Sequence, residues 1–140
     1  MDTGTGLPFP FERSALNHPL NHKIAFVHYG TVDLDRAVAF YQNVLGMKLL
    51  FKLDDWAEFD LNGQRLALRR VDRWEPEANA GAMVHLEARP IELVVEVLKN
   101  KGVAIVHEIE EHPYGKMATF LDPDGNRIGL YQPPDEKKPA

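Results

Sequence analysis

The sequence predicts an α+β domain made of two consecutive β-α-β-β-β modules. Three observations carry that expectation. Apolar residues recur at helical spacing over residues 34–45 and again over 91–98, and each stretch is flanked by runs that alternate as strands do. Two strong hairpin signals, Asn62-Gly63 and Asp124-Gly125, fall at corresponding points of the two halves. The equivalents also keep their distance: 57 residues separate Phe26 from Met83, 56 separate Gly46 from Gly102, and 62 separate Gly63 from Gly125. Such a period implies two copies of one supersecondary unit, neither able to bury its sheet alone.

Taken in order, the first module (23–71) opens with a strand from Lys23 to Tyr29. Asp33 then offers a helix cap, and Leu34, Ala37, Val38, Tyr41, Val44 and Leu45 form an apolar stripe that stops at Gly46. Strands follow over 47–53 (MKLLFKL), 56–61 (WAEFDL) and 65–71 (RLALRRV). Residues 72–81 read as an irregular linker. The second module (82–132) repeats the order: a strand over 82–88, Pro90 at a helix start, a helix over 91–101, Gly102 as its stop, and strands near 103–108, 116–120 and 127–131. Pro8, Pro10 and Pro19 mark residues 1–22 as an irregular arm, and PPDEKKPA (133–140) reads as a flexible tail.

Composition narrows the function classes. The chain has 140 residues, 44% of them hydrophobic, which suffices for one domain with a real core. Its formal net charge is -5 with the signs interspersed and no Lys/Arg block longer than two, so neither nucleic acid nor a membrane surface is an expected partner. The absence of cysteine excludes disulfides, thiolate catalysis and sulfur-ligated zinc. No apolar run approaches a membrane span, and the N-terminus lacks signal-peptide features, so a cytoplasmic location is expected.

Strand alternation assigns faces. Ile24, Phe26 and His28 oppose Ala25, Val27 and Tyr29; Arg65, Ala67 and Arg69 oppose Leu66 and Leu68. In the second half, Met83, His85 and Glu87 oppose Val84, Leu86 and Ala88, while Arg127, Gly129 and Tyr131 oppose Ile128 and Leu130. The apolar sets should lie beneath the helices and the polar sets should face a ligand. A glycine inside a strand contributes no side chain, so Gly129 poses the question of what it replaces.

DLDRAVAFYQNVLGMKL (33–49) and FLDPDGNRIGLYQ (120–132) resemble the two most recognisable stretches of the vicinal-oxygen-chelate superfamily, which includes glyoxalase I, extradiol dioxygenases and bleomycin-resistance proteins. The resemblance implies curled mixed sheets around a cup-shaped cavity, helices on the outer face, and commonly a homodimer. It also implies one metal ligand on each of four strands. Matching by distance from the motifs places those ligands at Phe26, Ala67, Met83 and Gly129, none of which can donate to a hard divalent cation. No cofactor is therefore expected. Divalent metal on the displaced His28 and His85 is the less favoured alternative, since Arg69 and Tyr131 stand at the other two displaced positions.

The inward set suits a partly apolar small molecule with an anionic group. Phe26, His28, Trp56, Arg69, Met83, His85, Tyr114 and Tyr131 are the candidate ligand contacts, because arginine's planar fork matches a carboxylate or phosphate and the aromatics supply walls. Two functions of different class follow: metal-free binding in the manner of the bleomycin-resistance branch, or a glyoxalase-like lyase, isomerase or dioxygenase-like enzyme. The second would use His28 or His85 as a base or ligand, with Glu87 as the nearby acid. HEIEEH (107–112) spaces its histidines five apart instead of the four of a zinc-protease helix, so it reads as an acidic surface segment. HPYGK (112–116) and Trp74 are ambiguous between pocket mouth and plain turn, and between lid and dimer contact.

Overall fold

A computed structural model of the chain describes residues 24–76 and 81–135; the expected arm (1–22), Lys23 and the end of the tail lie outside the described residues. Strand β1 (Phe26–Thr31) is followed by helix α1 (Leu34–Ala39), a π-helical turn (Phe40–Val44), and strands β2 (Lys48–Lys52), β3 (Trp56–Leu61) and β4 (Gln64–Arg70). After the linker come β5 (His85–Glu87), helix α2 (Ile91–Asn100), β6 (Ile105–His112), β7 (Gly115–Leu121) and β8 (Arg127–Gln132). Each half is a four-stranded mixed sheet, ordered β1-β4-β3-β2 and β5-β8-β7-β6, in which the first strand runs parallel to the last. The α+β class and the repeated βαβββ order are as the sequence implies.

Local chemistry explains the elements. Asp33 caps α1 by accepting a hydrogen bond from the Arg36 amide at 3.1 Å, and Leu34, Ala37, Val38 and Tyr41 bury the inward stripe. The helix then widens, the Leu45 amide reaching the Phe40 carbonyl at 3.1 Å, before Gly46 reverses the chain at φ +73°. Asn62 (φ 52°) and Gly63 (φ 100°) form the hairpin turn that the Asn-Gly pair signals. Helix α2 buries Ile91, Val95 and Leu98, one face at helical spacing, each removing apolar area worth about 1.5–3 kcal/mol. Pro90 provides no side-chain cap there; Gln132 supplies it from β8, its Oε1 accepting from the Ile91 amide at 2.8 Å.

Boundaries differ from expectation where pairing overrides local pattern. β1 begins at Phe26 and continues to Thr31, because β4 offers it six consecutive partners. β5 is three residues long instead of seven, although single bonds extend it at both ends: Gly129 N–H to the Val84 carbonyl, and Ala88 N–H to the Tyr131 carbonyl. β6 starts two residues later than expected and contains the whole of HEIEEH, so those histidines lie on an extended strand.

The two modules are welded by the Asp122–Asn126 turn. Asp122 is buried, and its carboxylate accepts from the Tyr41 hydroxyl (2.8 Å), the Asn126 amide side chain (2.8 Å) and the backbone amides of Asp124 and Asn126 (both 2.9 Å). Asp124 accepts from the Thr31 hydroxyl (2.6 Å), the Val32 amide (3.1 Å) and Arg36 (2.8 Å), all in the first module. Asn126 also donates to the Gly30 carbonyl at 3.0 Å. Only Gly125 in this turn takes positive φ, and Asn126 serves as a hydrogen-bond hub.

Candidate functional site

Cross-strand partners share a face, so pairing register defines the surface opposite the helices. In the first sheet three rows cross it: Phe26–Arg65–Asp60, His28–Ala67–Glu58 and Gly30–Arg69–Trp56. Phe26, His28 and Trp56 form one aromatic cluster, with ring centroids 6.3 Å (Phe26–His28), 5.5 Å (Phe26–Trp56, edge-on) and 5.9 Å (His28–Trp56) apart. Phe26 is 45% exposed and His28 is also exposed, so this apolar surface is open. Arg69 stands opposite Trp56 and makes no hydrogen bond or ion pair with another described residue.

Glu58 is an acid on this face that sequence reasoning missed; the one inward acid expected was Glu87, which lies on the second sheet. It accepts from the Trp56 indole N–H at 2.8 Å and from Arg65 at 2.6 Å. Those bonds, the indole's first, hold its carboxyl below the usual glutamate range. The alternation of WAEFDL carries the signal, since Ala57 and Phe59 are buried and Trp56, Glu58 and Asp60 must therefore point the other way. Arg65 is thus a clamp for Glu58, leaving Arg69 as the free cation among the described residues of the cluster.

In the second sheet the rows are His85–Gly129–Thr119 and Glu87–Tyr131–Met117. The imidazole of His85 lies directly on Gly129: a Cβ there would meet His85 Cδ2, Nε2 and Cγ closer than real Cβ atoms approach. Gly129 therefore makes room for a neighbour's ring. Met83 is half-buried just before β5, and Glu87 is exposed with no described partner. Tyr131 donates its hydroxyl to the Tyr114 carbonyl at 2.7 Å, tying β8 to the β6–β7 turn. HPYGK is that turn, and Lys116 faces α2, paired with Glu92 at 2.6 Å.

His28 and His85 are each packed within their own module, and no ring contact joins them. Among the described residues, no group of three or more His, Cys, Asp or Glu side chains is arranged to hold a metal ion. The four positions that the resemblance matches to metal ligands, Phe26, Ala67, Met83 and Gly129, carry no side chain able to donate to a hard divalent cation, and the space at Gly129 is filled by His85.

Trp74 was ambiguous in the sequence and is firmly seated. Its six-membered ring packs against the Cα of Gly30, and its indole N–H donates to Asn126 Oδ1 at 2.7 Å. A cleft of about 640 Å³ opens beside it, lined by Trp74, Glu75, Pro76, Val106, Leu121, Asp124, Gly125 and Arg127. No helix of the described residues is long and apolar enough to cross a membrane.

Two consecutive βαβββ modules, each folded as a four-stranded mixed sheet, define the class of domain. Residues 22–130 match the Glyoxalase/Bleomycin resistance protein/Dioxygenase superfamily, and the chain belongs to it. It is 29% identical over 108 residues to a catechol-2,3-dioxygenase of Bacillus subtilis (strain 168), covering 71% of this chain and 37% of that protein. It is 45% identical over 49 residues to the metallothiol transferase FosB of Lysinibacillus sphaericus (strain C3-41), covering 35% and 32%. The chain thus spans about a third of the length of these curated relatives. The crystal structure of a glyoxalase family protein from Enterococcus faecalis superposes with a TM-score of 0.68 at 22% identity, over 79% of this chain and 98% of that one, which shows the shared fold.

Proposed function

We propose that this chain binds a partly apolar small molecule carrying an anionic group, and does so without a metal. The ligand lies against the first sheet, its apolar part on Phe26, His28 and Trp56 and its anion on Arg69. The single observation behind this reading is an open aromatic cluster next to a guanidinium that has no described partner. A guanidinium beside aromatic rings can grip a carboxylate with two N–H groups while the rings hold the ligand's apolar part. Metal independence rests on the donor-free quartet Phe26, Ala67, Met83 and Gly129. A homodimer is part of the proposal, since Phe26, Leu50 and Phe51 of the first sheet and the flanking Ile24 and Leu53 are exposed apolar side chains.

Thermal-shift screening of aromatic carboxylates against wild type and Arg69→Leu is the test. A ligand that stabilises wild type should lose at least about tenfold in affinity in the variant, the scale of one lost charge-assisted contact. Unchanged binding removes Arg69 from the site. An enzymatic reading draws on the relatives named as a dioxygenase and a transferase, with His28 or His85 as general base. Turnover that disappears with His28→Ala or His85→Ala would favour it.

A further inference from the structure

The cleft beside Trp74 belongs to neither the aromatic cluster nor the metal positions of the superfamily. We infer that it is a second, separate binding site, for a flat aromatic carboxylate held between the indole of Trp74 and the guanidinium of Arg127.

Its walls are prebuilt. Trp74 is fixed at two points, by the stack on Gly30 and by the bond to Asn126, which is itself buried and tied to Asp122 and Gly30. The remaining surface of the indole lines the cleft with Pro76, Val106 and Leu121, giving one apolar wall beside the charged residues Glu75, Asp124 and Arg127. Its volume of about 640 Å³ lies within the roughly 300–1,000 Å³ common for small-molecule sites.

Charge sets the ligand's sign. Two carboxylates line the cleft, and both are already engaged. Asp124 has 2% of its side chain exposed and spends both oxygens on Thr31, Val32 and Arg36; Glu75 pairs with Arg73 at 2.7 Å. Arg127 also lines the cleft, and its side chain makes no hydrogen bond or ion pair with another described residue. Its backbone carbonyl is the part that holds the modules together, accepting from the Tyr29 hydroxyl at 3.1 Å. Among the described residues the guanidinium is therefore uncommitted, and substituting it leaves the Tyr29 contact in place. One fork-shaped cation beside an aromatic wall matches a planar carboxylate, which can be gripped by two N–H groups while its ring lies on the indole.

The chain has two tryptophans, so Trp56→Phe leaves Trp74 as the sole indole and its fluorescence as a reporter of the cleft. Titrating this variant with benzoate, cinnamate and phenylacetate should give a saturable change for at least one of them, weakened by added salt. Arg127→Leu in the same background should bind at least tenfold more weakly, Arg127→Lys should retain part of the affinity, and Arg69→Leu should bind as the parent does. The uncharged analogue benzamide should bind at least tenfold more weakly than benzoate. Loss of the signal with Arg69→Leu but not Arg127→Leu would assign it to the first-sheet site and overturn this proposal alone. Equal binding of benzamide, undiminished binding by Arg127→Leu, or no saturable response to any of the three acids would overturn it as well.

Discussion

At Gly129 the absence of a side chain lets the His85 ring lie flat on the strand, an arrangement that any Cβ would disturb. Because His85 is exposed, its ring can swing outward, and Gly129→Ala should change unfolding free energy by under about 1 kcal/mol while displacing the imidazole. The His85 ring resonances should move strongly in the NMR spectrum; unshifted resonances would mean that the ring does not rest there. Gly115 is the contrasting case. At φ +133° an added Cβ would press on the backbone carbonyl of Gln132, which cannot step aside, so Gly115→Ala should cost about 1–3 kcal/mol in urea denaturation. The sequence marks Gly129 as anomalous through its motif but gives no hint of His85 above it, since that contact joins parallel strands far apart in the chain.

At the scale of elements, the Asp122–Asn126 turn carries more than its hairpin. Tyr41 reaches it from the π-helical turn, and burial followed by the Asp122 charge holds the Tyr41 hydroxyl well above its usual pKa, protonated and donating. Tyr41→Phe leaves the buried carboxylate one donor short and should destabilise by about 1.5–3 kcal/mol in chemical denaturation. Burial also raises the pKa of Asp122 itself from the ordinary 3.8, outweighing the opposing bonds from Asn126. A carboxyl whose folded pKa is raised contributes its stability fully below the unfolded value and loses it as pH rises through the folded one. The stability advantage of wild type over Asp122→Asn should therefore shrink from below pH 3.8 to neutrality; an advantage that grows over that range would contradict the assignment. The turn itself was legible from Asp124 and Gly125. Its bonds to Thr31, Val32, Arg36 and Tyr41 were not, because they span 81 to 93 positions of sequence.

For the whole molecule, the repeat was the legible feature. Hairpin glycines and helical apolar stripes are local signals, and they fixed the order of elements in both halves, while strand ends shifted wherever a neighbour offered more or fewer partners. Alternation put Phe26, His28 and Arg69 on one face of the first sheet and His85 and Tyr131 on one face of the second, and the pairing registers set them in the rows Phe26–Arg65, His28–Ala67, Gly30–Arg69, His85–Gly129 and Glu87–Tyr131. It did not reveal that Glu58 neutralises Arg65, nor that Trp74 builds a cleft with Arg127, because both depend on side-chain reach across elements. The central claim is that this superfamily member binds its ligand without a metal. Its most direct test is metal analysis of protein incubated with nickel, zinc, manganese or iron and then freed of loose ions by gel filtration. Substoichiometric metal, unaltered by His28→Ala or His85→Ala, is the predicted result; stoichiometric metal per chain that disappears with either substitution would contradict it.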